Sequence, residues 1–178
     1  WQQMKSIGKN LVMKYLKSLA MVIAADVFSL FIGLTLAGSS MPLVKGISAV
    51  CTVGILAVIM ADFAVKTARE DIKNKRDVSE RKKLASAFGM GFSASAPAFL
   101  SWIILYISVS CKEFNFYRWH KIINGYFLQI YNFINADANS SALSMNEVWM
   151  MFPFAFIPAA VLVIAYILAF KRTLFAEK

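Results

Sequence analysis

The apolar positions of the chain collect into four long runs, separated by segments rich in charge or in aromatic residues. They cover about 18–38, 42–65, 84–109 and 148–170. Each exceeds the roughly 20 residues needed to cross a hydrocarbon layer of about 30 Å. A backbone in hydrocarbon has no water to bond, so each run is expected to be a helix. The fold class predicted is all-α: one membrane domain, residues 1–178, built on four transmembrane helices.

Two further segments carry a helical period without being apolar all round. Ahead of the first run, Trp1, Met4, Ile7, Leu11 and Tyr15 recur at three- and four-residue spacing, with lysines on the other face. Residues 1–17 therefore predict an interfacial amphipathic helix, a cytoplasmic arm lying in the membrane plane. Between the third and fourth runs, segment 110–147 places Phe116, Trp119, Ile123, Phe127, Ile130 and Ile134 at helical spacing. It is too polar for a fifth span and is expected to be an external interfacial helix, with Trp119 and Phe127 at headgroup depth. A polar loop over 137–144 follows. Ser144 and Glu147 then have the spacing of a capping box that opens the fourth helix. Asn139-Ser140-Ser141 has the form of a glycosylation acceptor.

Composition supports the membrane reading. The 178 residues are 59% hydrophobic, with a mean hydropathy of +0.60, whereas soluble domains lie nearer half apolar. The basic start precedes an apolar run too long for a signal peptide, so no cleaved leader is expected. Lipidation motifs are absent from both ends of the sequence. Cys51 and Cys111 fall at different depths, which predicts no disulfide between them.

The net charge of +9 is unevenly distributed. Lys5, Lys9, Lys14 and Lys17 lie in the arm, a basic cluster fills the loop 66–83, and Lys171, Arg172 and Lys178 lie in the tail. With four spans these three segments share one side, and the excess of Lys and Arg marks it as cytoplasmic. The orientation expected is N-in/C-in, in a bacterial cytoplasmic membrane. Topology accounts for the basic balance, so no nucleic-acid partner is expected. The expected partners are the lipid bilayer and its anionic lipids, with Lys73, Lys75, Arg76, Arg81, Lys82 and Lys83 as headgroup contacts at about 1 kcal/mol each. In the same loop Asp71 stands four residues before Lys75, a favourable pair, and Asp77 with Glu80 has capping-box spacing.

The candidate chemistry is sparse. Asp26 lies about nine residues past Lys17, near the bilayer midplane, where a carboxylate costs about 2.5–3.5 kcal/mol. It must face the bundle interior or find a donor, and counting depth points to Ser93 or Ser95 on the third helix. Ser29 and Gly33 continue its face. Asp26 reads either as a proton or cation site or as a hydrogen-bonded packing residue. Asp62, a further intramembrane polar candidate, stands four residues before Lys66 and is expected either to reach the cytoplasmic interface or to pair with that lysine. On the third helix Gly89, Ser93, Ala96 and Pro97 form a small-residue face for close helix packing, inside the chain or between chains. The lone His120 is expected to face solvent or headgroups. There is no metal-ligand spacing, cofactor motif or catalytic constellation. The function expected is that of a non-enzymatic subunit or accessory of a membrane complex, with partner subunits or self-association. The alternative is a small oligomeric channel or transporter using Asp26.

Overall fold

The computed structural model describes residues 2–36, 41–73 and 80–176, with side chains described over 11–36, 41–73 and 83–172. It is all-helical, with no strand among the described residues. The long helices are α1 (Gln2–Leu36), α2 (Pro42–Lys73) and α3 (Glu80–Cys111). Short helices α4 (Tyr117–Ile123) and α5 (Leu128–Ile134) follow. A composite helix then joins α6 (Met145–Met151), a 3₁₀ stretch over Phe152–Phe156 and α7 (Ile157–Ala176). Four helical stretches are long and apolar enough to cross a membrane: Leu11–Leu36, Pro42–Lys73, Lys83–Cys111 and Met145–Arg172.

The helices run past the apolar runs at their basic ends. The arm is not a separate helix, because α1 is continuous from Gln2 to Leu36. Between Lys9 and Ile32 the chain has neither Gly nor Pro, so no residue there interrupts the helical ladder. Pro42 occupies the first position of α2, where a missing N–H costs nothing. In the fourth span Pro153 and Pro158 remove two more donors, and the turn between α6 and α7 tightens to 3₁₀.

The chain divides into two compact units. The first comprises Trp1–Val22, Ala57–Ser95 and Pro158–Lys178. Its interior holds Met60, Ala64 and Ala68 of α2, Ala87, Met90 and Ala94 of α3, and Leu162 and Tyr166 of α7. Lipid tails are as apolar as these side chains, so polar contacts and close approach determine how the helices pack. Asp71 pairs with Lys14 of α1 and accepts the Tyr166 hydroxyl at 2.8 Å. Ser18 donates to the Met90 carbonyl at 3.0 Å, and Ser93 donates to the Tyr15 carbonyl at 3.0 Å. The ring of Tyr15 fills the space a Cβ would take at Gly89, so Gly89 and Ser93 of the small face of α3 lie against α1. Gly91 turns to α7, where a Cβ would lie 2.9 Å from Val163 Cγ2 and 3.3 Å from the Ala159 backbone.

The second unit comprises Ile23–Leu56 and Ala96–Ile157. It holds the α3–α6 connection, whose residues Tyr117, Tyr126, Phe127, Leu128 and Tyr131 are buried, as are Ala25, Leu56, Ala98 and Leu105. An aromatic ladder of Phe99, Trp102, Trp149, Phe152 and Phe156 links α3 to the fourth span, and the Trp102 indole donates to the Val148 carbonyl at 2.9 Å.

Gly91 and Gly54 provide a matched test of helix contact. Gly91→Ala drives a methyl group into the α7 backbone and is expected to cost about 1–3 kcal/mol. Gly54 has nothing within 4 Å of a built Cβ, so Gly54→Ala is expected to be neutral or to gain up to about 1 kcal/mol of helix propensity. Thermal unfolding of the two variants in detergent checks the ordering; equal melting temperatures contradict the packing described.

Candidate functional site

The second unit concentrates the buried polar groups, and they gather where the α3–α6 connection meets α1, α2 and α3. Helix α3 ends at Cys111, and Lys112 follows with a left-handed φ of 59°, its N–H returning to the Ser108 carbonyl at 3.1 Å. This is the cap geometry usually given to glycine. The next helix starts without a cap of its own. Its first N–H groups, those of Phe116 and Tyr117, donate instead to the Ser140 hydroxyl at 3.0 and 3.1 Å. The Lys121 ammonium is buried yet fully engaged. It donates to Asn132 Oδ1 at 2.8 Å and to the Asn135 and Asp137 carbonyls at 2.9 and 2.6 Å, and it lies over the Tyr117 ring. Burial pulls its pKa from 10.5 to about 8, opposed by the charge of Asp137.

Asp26 is the carboxylate at the centre of this arrangement. The connection breaks between α4 and α5 into a 3₁₀ turn over Gly125–Phe127, preceded by Asn124, which supplies no side-chain cap. The Asp26 carboxylate takes the role of a cap and accepts the Gly125 N–H at 2.5 Å. A Cβ at Gly125 would stand 2.5 Å from Leu30 Cδ2 and 3.1 Å from Asp26 Oδ1, so glycine is what lets the turn approach α1. The Thr52 hydroxyl donates to the Tyr126 carbonyl at 3.0 Å, and Ser29 donates to the Thr52 carbonyl at 3.2 Å. Gln129 reaches the Gly33 carbonyl at 3.4 Å. Of the face Asp26, Ser29, Leu30, Gly33, Asp26 and Leu30 meet the turn, Ser29 bonds α2, and Gly33 meets Leu128 and Gln129 of α5.

The serines expected as donors to Asp26 have other partners. Ser93 bonds the Tyr15 carbonyl, and Ser95 accepts the N–H of Ala159 at 3.0 Å. Ala159 is in the first turn of α7, where backbone donors lack helical acceptors. Ala96 and Pro97 are half-buried on α3, which continues through the proline. Asp62 does pair with Lys66, at 2.6 Å, with both side chains exposed. Ser144 and Glu147 form the expected capping box. Asp71 is taken by Lys14 and Tyr166. Lys75, Arg76 and Asp77 lie outside the described residues, as do the side chains of Glu80, Arg81 and Lys82. Lys73 is exposed, and Lys83 lies over the Phe170 ring.

His120 is the group that sequence reasoning misplaced. It is 1% exposed rather than facing headgroups. Its Nδ1 lies 3.1 Å from the Ser101 hydroxyl, its ring lies 5.0 Å from that of Tyr131, and Asn124 completes the group with a 2.8 Å bond to Ser101. Burial lowers its pKa from 6.5 to about 4, against the Ser101 carbonyl, which favours the proton. Serine beside histidine is also the arrangement of a nucleophile and base. Here, however, Ser101 is 2% exposed and its hydroxyl also reaches the Ala98 carbonyl at 3.1 Å. The one sequence signal for this burial is the Asn124-Gly125 pair, a turn dipeptide that stops α4 and brings its polar residues onto the helices.

No family model, no curated protein and no solved structure matches the chain. The geometry is therefore the basis for a functional reading.

If Asp26 is a backbone acceptor, Asp26→Asn keeps a carbonyl oxygen for Gly125 and should change stability little. Asp26→Leu leaves that N–H unpaired and should cost about 1–3 kcal/mol. Gly125→Ala should cost at least as much, through its clash with Leu30. Chemical unfolding followed by tryptophan fluorescence reads all three, and an Asp26→Leu protein as stable as the parent contradicts the assignment.

Proposed function

We propose that the protein is a non-enzymatic subunit or accessory of a membrane complex in the bacterial cytoplasmic membrane, oriented N-in/C-in. The observation carrying this reading is the engagement of Asp26 by the backbone of the α3–α6 connection. A carboxylate spent on fastening one segment of the chain to another acts as a structural clasp, which favours the subunit reading over a channel or transporter built on Asp26.

Three further features support the placement. Each long helix leaves an apolar face uncovered: Phe28, Phe31 and Leu34 on α1, Leu43, Val50 and Val58 on α2, Phe88 and Phe92 on α3, Ile164 and Leu168 on α7. Such faces suit lipid or the helices of partner subunits. On α2 the exposed stripe changes from Val50 and Val58 to Asp62, Lys66, Arg69 and Lys73, which suits a boundary between hydrocarbon and anionic headgroups on the cytoplasmic side. The α3–α6 connection buries His120, Lys121, Asn124 and Gln129 and exposes Trp119, Ile122 and Phe133. Exposed aromatic and aliphatic side chains over a buried polar cluster suit an element with protein on one side and the outer lipid interface on the other.

Topology is tested with Cys51 and Cys111, both exposed, replaced by serine. Lys73→Cys is expected to react with impermeant maleimide only from the cytoplasmic side, and Ala138→Cys only from the outside; same-side labelling rejects the four-span arrangement. Purification in mild detergent is expected to recover a complex containing further membrane chains or further copies. Ion flux in reconstituted vesicles that is lost on Asp26→Asn, with the fold intact, would overturn the subunit reading in favour of transport.

A further inference from the structure

The tautomer of His120 follows from its neighbours. The Ser101 hydroxyl has one proton and two lone pairs. Three groups contact it: the Ala98 carbonyl at 3.1 Å, Asn124 Nδ2 at 2.8 Å and His120 Nδ1 at 3.1 Å. The carbonyl can only accept, so it takes the Ser101 proton. The Asn124 amide also donates to the His120 carbonyl at 2.9 Å, which fixes its nitrogen toward Ser101. All three contacts are satisfied together only if His120 Nδ1 carries a proton and donates it. The other ring nitrogen, Nε2, is then a bare lone pair. It is buried and has no hydrogen-bond partner among the described residues.

A second proton would have to go on Nε2. It would create an N–H with no acceptor and a positive charge in a buried site, beside another cation. We propose that His120 is a proton-released latch: its neutral ring fastens α4 to α3 through Ser101, and protonation of Nε2 frees segment 117–134 from α3. The groups facing the ring are Lys121 on its own helix, Tyr131 on α5, the Ser101 hydroxyl and carbonyl on α3, and Tyr126, which reaches Asn124 at 3.4 Å from the turn that Asp26 holds. Lys121 opposes protonation, as does burial.

The released ring regains an ordinary affinity for protons, and the docked ring keeps a low one. The neutral, docked state is therefore favoured above about pH 6.5, and release is increasingly favoured as pH falls towards about 4. Over that window the ratio of released to docked segment should rise on the order of a hundredfold.

His120 is the chain's single histidine, so ¹⁵N-histidine labelling of the full chain in nanodiscs reports one ring. Its shifts are expected to show Nδ1 protonated and Nε2 bare at neutral pH. In the background with both cysteines replaced by serine, spin labels at Ile107 and Arg118, both exposed, read the distance from α3 to α4. That distance should lengthen or broaden as the ring gains its second proton. His120→Gln and the shorter His120→Asn both offer Ser101 an N–H without a titrating charge, and either should hold the distance constant over the same range, which separates the ring from Asp26. An Nε2–H tautomer at neutral pH overturns the proposal. So does a ring that titrates with the distance fixed, a wild-type distance unchanged down to about pH 4, or an amide variant that opens in step with wild type.

Discussion

The controlling constraint is that a backbone without water must find every hydrogen bond inside the protein. Regular helix meets it unaided, which is why the four apolar stretches are helices. It fails where the chain stops being α-helical, and at several described breaks a side chain from elsewhere supplies the missing partner. Asp26 accepts from the turn at Gly125, Thr52 donates to the Tyr126 carbonyl, Ser140 accepts from the start of α4, and Ser95 accepts from Ala159 after the 3₁₀ stretch. These four polar residues stand where the backbone ladder is interrupted.

The same constraint explains why small and hydroxylic residues carry so much of the packing. In water, burying leucine against leucine supplies the driving force. In lipid that transfer is nearly neutral, and contacts must come from close approach and hydrogen bonds. The first unit follows this rule with glycine and serine. Gly89 admits the Tyr15 ring, Ser93 bonds the Tyr15 carbonyl, and Gly91 admits the α7 backbone. Each hydroxyl bond is modest, at about 1 kcal/mol. Its effect is on register, since a one-residue rotation of α3 would part these groups together.

The spans were legible because the apolar runs are long and their mean hydropathy needs no three-dimensional information. The continuity of α1 was less so: an amphipathic arm and a spanning helix look like two elements, and only the lack of any breaker between them argues for one. The partner of Asp26 was not legible. Counting depth along parallel spans brings Ser93 and Ser95 to mind, but it is blind to a connection that folds back onto α1 and presents a backbone N–H. Asp62 with Lys66 and Ser144 with Glu147 were legible because each pair lies within one helical turn and needs no tertiary contact.

The α3–α6 connection shows most clearly where pattern reading reaches its limit. Phe116, Trp119, Ile123, Phe127, Ile130 and Ile134 suggest one amphipathic helix with an apolar face. The chain instead breaks at Asn124 into α4, a 3₁₀ turn and α5, and the two helices bury different faces. Phe127, expected at headgroup depth, is fully buried, whereas Trp119 is 57% exposed. Hydrophobic periodicity assumes that the apolar face turns toward protein and the polar face toward water. Here the buried surface holds an imidazole, an ammonium and two carboxamides, each matched to a hydroxyl or carbonyl, among the rings of Tyr117, Phe127 and Tyr131, whereas Trp119, Ile122 and Phe133 are exposed. Polar groups turn inward when fixed donors and acceptors await them there. Under that condition, hydrogen-bond complementarity with Ser101, Asn132 and the Gly33 carbonyl sets which face of each short helix is buried, and the periodicity of the apolar residues does not.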